Sequence, residues 1–105
     1  MSKKSATAEE RRHLSRVSAL GCIVCLNMGY PDSPPEIHHL RTGQGMGQRA
    51  KHHNAIPLCP RHHRTGGYGV AIHAGQEAWE AEHGTEIELL AQVQGLLGLN
   101  LDAAG

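Results

Sequence analysis

Two pairs of soft ligands stand out first: Cys22-x-x-Cys25 and Cys59-x-x-His62, separated by 33 intervening residues. Zinc takes four N/S ligands in a tetrahedron, and a two-residue spacer lets one turn bring two of them to the same ion. In the first turn of a helix, positions i and i+3 share a face, so Cys59 and His62 can converge. The pattern points to a structural zinc on Cys22, Cys25, Cys59 and His62. Three free buried cysteines would be the plain alternative, and would leave the spacing without a reason.

The chain also carries nine histidines, six of them between His38 and His63. Any one of these, His13 and His83 among them, can be an ordinary solvated or core side chain. The cluster falls at informative places, however. His38-His39 lies in a strand candidate, Asn54 follows His39 by fifteen residues, and His62-His63 comes directly after a second strand candidate.

These residues resemble the HNH endonuclease motif, in which an Asp or His precedes a His, followed by an Asn and then a Cys-x-x-Cys-His type helix start. The likeness spans residues 20–65, and His62 stands where a second zinc-binding Cys is common. It implies that His39 is the general base, that His38 and His63 hold a catalytic divalent metal (Mg2+ or Mn2+), and that Asn54 braces the hairpin. An imidazole titrates near neutrality and can take a proton from water. A divalent cation would stabilise charge building on the phosphate. Adjacent strand residues point to opposite faces, so His38 and His39 are expected to share a site only at a frayed or bulged strand end. His73 opens the penultimate helix and either completes the metal shell or is an ordinary helix-start histidine. The segment from His73 to Gly84 and the acidic-apolar helix after it resemble the phage recombination-enhancement nucleases. That likeness implies DNA as substrate and a RecA-type recombinase filament as partner.

The elements that must position these groups are short. Thr7-Ala8-Glu9-Glu10 reads as a capping box that starts a helix with Leu14, Val17 and Leu20, ending near Gly21. Cys22 to Cys25 is expected to form a tight knuckle, and the Gly- and Pro-rich residues 27–35 a loop. Residues 36–40 and 54–58 read as two strands, with Pro57 favouring an edge or a strand end. Between them lies a long basic hairpin loop whose glycines match no nucleotide-binding fingerprint. Pro60 suits the first position of a helix begun by Cys59, interrupted at Gly66-Gly67. A second helix is predicted over 73–83. A last one opens on Thr85 with Glu88 at its third position, and presents Ile87, Leu90, Val93 and Leu97. Trp79 reads as core rather than as a base-stacking platform.

Composition sets the frame. With 105 residues, three aromatics and no Phe, there is room for one modest core, and a metal staple is expected. No apolar leader region follows Met1-Ser-Lys-Lys and no stretch approaches membrane-spanning length, which suggests a soluble protein of a reducing cytoplasm, bacterial or phage-encoded. The net charge of zero hides an asymmetry. All ten Lys and Arg lie in residues 1–64 against four acids, whereas residues 65–105 hold six acids and no Lys or Arg. The basic half suits a polyanion, and Arg41, Arg49, Lys51, Arg61 and Arg64 are expected to meet DNA phosphates unless they are plain solvated charges.

The expected fold is therefore α+β: a small zinc-stapled ββα-metal core, treble-clef-like, with flanking helices. Residues 1–20 would be a tail and helix, 21–70 the zinc domain, and 71–105 a helical scaffold of the same domain with no catalytic task. The expected function is metal-dependent hydrolysis of DNA phosphodiester bonds, with dependence on a recombinase filament. The rival is a non-catalytic zinc module that binds nucleic acid, which leaves His38, His39 and His63 unexplained.

Overall fold

The computed structural model describes residues 7–41 and 54–98. They form a small α+β unit built on one two-stranded antiparallel sheet. Helix α1 spans Ala8–Ala19 and begins with a complete capping box: Thr7 accepts from the Glu10 backbone while Glu10 reaches back to the Thr7 N–H. Only one face of α1 meets the core, through Val17 and His13, with Leu20 packed at its edge.

Gly21 turns the chain at φ 78°, and a Cβ there would come within 3.3 Å of the Asp32 and Ser33 backbone. That close approach lets the Cys22 N–H donate to the Ser33 carbonyl, at 3.0 Å. The predicted knuckle is in fact one short helix, α2 (Ile23–Asn27), with the Cys22 sulfur accepting from the Cys25 N–H as its cap.

Strands β1 (Glu36–His39) and β2 (Ala55–Leu58) pair with Glu36 opposite Leu58, Ile37 opposite Pro57, His38 opposite Ile56 and His39 opposite Ala55. The register is regular throughout, so the bulged end expected at His38-His39 is not there. Among the described residues the sheet has these two strands, so both are edges, and Pro57 in β2 leaves no ladder donor missing toward an inner strand. The helix expected from Cys59 is a wide, π-helical turn over Arg61–Thr65, in which Gly66 donates to the Arg61 carbonyl five residues back. A Cβ at position 66 would lie 2.4 Å from that carbonyl, so glycine permits the closure.

The helix predicted over 73–83 is divided at Gly75. A 3-10 turn, Ile72–Ala74, precedes α3 (Gln76–His83). Helix α4 (Glu86–Leu96) opens with the second capping box, Thr85 with Glu88. Its buried face differs from expectation by one residue. Ile87 is half exposed, whereas Glu86, Leu89 and Val93 are buried, with Leu90 and Leu97 at the margin. The core gathers Val17, Ile23, Val24, Leu40, Ile56, Leu58, Ile72, Trp79, Leu89 and Val93 around the sheet. Among the described residues no helix is long and apolar enough to cross a membrane.

Candidate metal centres and active site

The first cluster is Cys22, Cys25, Cys59 and His62. The cap and first turn of α2 supply the first pair; the turn after β2 supplies the second. The His62 Nδ1 lies 3.7, 3.6 and 3.3 Å from the sulfurs of Cys22, Cys25 and Cys59, and the Cys25 and Cys59 sulfurs are 3.8 Å apart. A tetrahedron with zinc bond lengths has S···S edges of about 3.8 Å and S···N edges of about 3.5 Å. The donor set and its spacing therefore fit zinc. Burial pushes the Cys22 thiol up to about 12, so without a cation this sulfur holds its proton. A bound metal would displace it. Burial also lowers the His62 pKa, helped by the repulsion a protonated His83 would exert and by the Arg61 charge, so its ring stays neutral and able to ligate. His83 packs between His62 and Trp79, at centroid distances of 5.4 and 5.3 Å.

The second cluster is His38, His63 and His73, and one ring nitrogen of each lies within 4.8 Å of the others. The His63 and His73 Nε2 atoms are 3.0 Å apart, close to the N···N edge of about 3.3 Å expected around a shared metal. His38 comes from β1, His63 from the π-helical turn and His73 from the 3-10 turn. The His73 pKa is lowered by burial first and then by the charges of His63, His38 and Arg41. Two carboxylates hold the other sides of these rings. His63 Nδ1 donates to Glu36 at 2.8 Å, and His38 Nε2 meets Glu86 at 2.6 Å. Glu36 shares the strand face of His38, two residues away. The Arg64 guanidinium and then His63 hold the Glu36 carboxyl down to about 2. The open side of this cluster, with His73 exposed, contrasts with the closed first site.

A sequence profile of the family described as recombination enhancement, RecA-dependent nuclease matches residues 6–98. The chain belongs to this family. It is thus a nuclease, an enzyme acting on DNA in recombination.

The expected site residues of this recombination-enhancement nuclease fall into groups. His38, His63 and His73 come together, as do Cys22, Cys25, Cys59 and His62. His39 pairs in regular register beside His38, so strand alternation turns it to the other face. The Asn54 carbonyl accepts from the Leu40 N–H at 3.0 Å, which extends the ladder by one bond. Arg41 Nη1 lies 3.4 Å from His73 Nδ1, at the histidine cluster, and Arg61 is exposed near the cysteine site. Arg64 is engaged by Glu36 through three hydrogen bonds. Arg49 and Lys51 lie outside the described residues.

Sequence reasoning missed Glu36 and Glu86. Glu36 was legible in principle, since it stands two positions before His38 on the same strand face. Glu86 corrects the picture of a C-terminal scaffold without a task at the site, because α4 carries its carboxylate against His38.

Proposed function

We propose that this nuclease is a metal-dependent HNH endonuclease hydrolysing DNA phosphodiester bonds, acting on DNA presented by a RecA-type filament. The observation that carries the reading is the convergence of His38, His63 and His73 at the end of a β-hairpin followed directly by a helical turn. That arrangement supports a ββα-metal core stapled by zinc at Cys22, Cys25, Cys59 and His62. A Mg2+ or Mn2+ ion on the three histidines would supply Lewis-acid stabilisation of the phosphate and the leaving oxygen.

His39 is the general base in this reading. A ring committed to a metal has no lone pair left for a proton, and His39 stands outside the trio. Regular pairing turns it to the face opposite His38, so in this reading the strand end opens when DNA binds and brings His39 to the site. Asn54 braces the far side of the hairpin opening. Arg41, at the edge of the trio, meets the phosphate, and Arg49, Lys51, Arg61 and Arg64 contribute to the contact with the backbone. A surface with few cations binds bare DNA weakly and loses affinity with salt. The acidic helices α3 and α4 offer a separate surface for a protein that already coats the strand.

The test is cleavage of one single strand, bare or coated with recombinase and ATP, at physiological salt with Mg2+ or Mn2+. Faster cutting of the coated strand, abolished by EDTA, is the expected result. Equal rates would leave a stand-alone nuclease. Cutting that survives EDTA in protein still holding its zinc would remove the catalytic metal from the reading.

A further inference from the structure

We propose that Glu86 is a positioning residue of the histidine metal centre, through which α4 sets the ring of His38 and the backbone of Arg41. The inference rests on the reading of His38, His63 and His73 as a metal site. Glu86 is fully buried, its Oε2 lies 2.6 Å from His38 Nε2, and its Oε1 accepts from the Arg41 N–H at 3.0 Å. Its own N–H donates to Glu80 at 2.8 Å, which fixes the first turn of α4. A glutamate at the start of a helix needs no burial to benefit from the helix dipole. The capping box here is already filled by Glu88. Burying a carboxylate is costly unless donors meet it, and the donors named are His38 in β1 and Arg41 two residues beyond its end.

The chemistry follows from what each group can do. An ionised carboxylate only accepts, so His38 donates from Nε2 and keeps its lone pair on Nδ1. A flip of the ring would break the bond, so Glu86 selects which nitrogen is offered to a cation. Glu36 does the same for His63, whose Nδ1 it holds at 2.8 Å. Carboxylates in this outer position typically change metal affinity or activity 10- to 100-fold.

The test titrates Co2+ into the zinc-loaded protein and follows its absorption spectrum. Wild type, His63→Ala, Glu86→Gln, His38→Ala and the Glu86→Gln/His38→Ala double variant are compared, with Glu88→Ala as a control for helix stability alone. Glu86→Gln is expected to weaken Co2+ binding about 10-fold or more, with zinc content retained, and to add nothing in the His38→Ala background. Glu88→Ala should lower the melting temperature and leave Co2+ affinity alone. In wild-type protein the His38 Nε2 proton should be visible by NMR and slow to exchange, a measurement that needs no variant to fold. Loss of Co2+ binding in His63→Ala, with wild-type affinity in Glu86→Gln, would overturn the role of Glu86 and leave the metal centre standing. A His38 ring protonated on Nδ1 alone would overturn it as well. A wild-type protein that takes up no Co2+ would overturn the centre and the inference together.

Discussion

The two clusters are made from the same small set of residue types, yet they are built in opposite ways. At the cysteine site four ligands close on a point, with three sulfurs 3.3 to 3.7 Å from one nitrogen, and the supporting neighbour is a ring, His83. At the histidine site there are three nitrogens, one of them on an exposed residue, and the supporting neighbours are the carboxylates of Glu36 and Glu86. A full tetrahedron leaves no position for a substrate, whereas three ligands and an opening do. In the proposed reading closure serves folding and openness serves chemistry, and the two tasks fall to clusters that share one short turn, where His62 belongs to one and His63 to the other.

The sharpest way to break this contrast is to remove a ligand from the closed site. Zinc binding to such a set is worth about 10–16 kcal/mol in small zinc domains, and in a protein with a core this thin that energy is folding energy. Cys59→Ser is expected to yield unfolded or insoluble protein, read by circular dichroism and zinc content together. A folded, zinc-free and active Cys59→Ser protein would end the assignment of structure to one site and catalysis to the other.

His39→Ala should instead leave the fold and the zinc intact while cleavage falls by roughly 100- to 10,000-fold, the usual contribution of a positioned general base. The reading fails if single-turnover cleavage is unchanged. His63→Ala is expected to have a smaller and conditional effect: the metal response weakens, and part of the rate returns at high Mn2+. A loss that no metal concentration restores would mean that His63 is needed for folding rather than for the open site.

The unequal legibility of the two sites follows from the same contrast. The cysteine site could be read because its ligand types are rare and its two-residue spacings have one economical use. His38 and His63 could be read from their places on a strand and after it. His73 stayed open, because nothing local separates a ligand from a histidine at a helix start, and only the turn at Ile72–Ala74 brings it to His63. Glu86 could not be read. In a helix with Ile87, Leu90, Val93 and Leu97, the apolar residues suggest one buried stripe, but the helix is turned by one position and buries a carboxylate in place of Ile87. Charged residues are almost never fully buried unless paired, so a pattern of hydrophobicity gives such a residue to solvent. The partner that justifies its burial lies 48 positions away. The π-helical turn was equally out of reach, since it depends on how Gly66 closes on the Arg61 carbonyl.

The smallest effect is expected where the closed site is supported by packing alone. His83 sits between His62 and Trp79, with centroids at 5.4 and 5.3 Å and the ring planes tilted. Burial lowers its pKa, so it serves there as a neutral ring. His83→Phe keeps a ring of similar size, and such a swap usually costs under about 1.5 kcal/mol. Zinc content and cleavage should be those of the wild type at pH 8. The difference should depend on pH in one direction. In the unfolded chain His83 titrates near the ordinary imidazole value of 6.5, whereas in the folded protein it does so at a lower pH. Between those two values the unfolded state binds a proton that the folded state refuses, so the wild type loses stability as pH falls. Phenylalanine has no proton to take up, so melting curves of the two zinc-loaded proteins should shift in favour of the variant below pH 6.5. A shift in favour of the wild type would show that His83 carries a charge in the fold, and that the closed site, like the open one, is held by electrostatics.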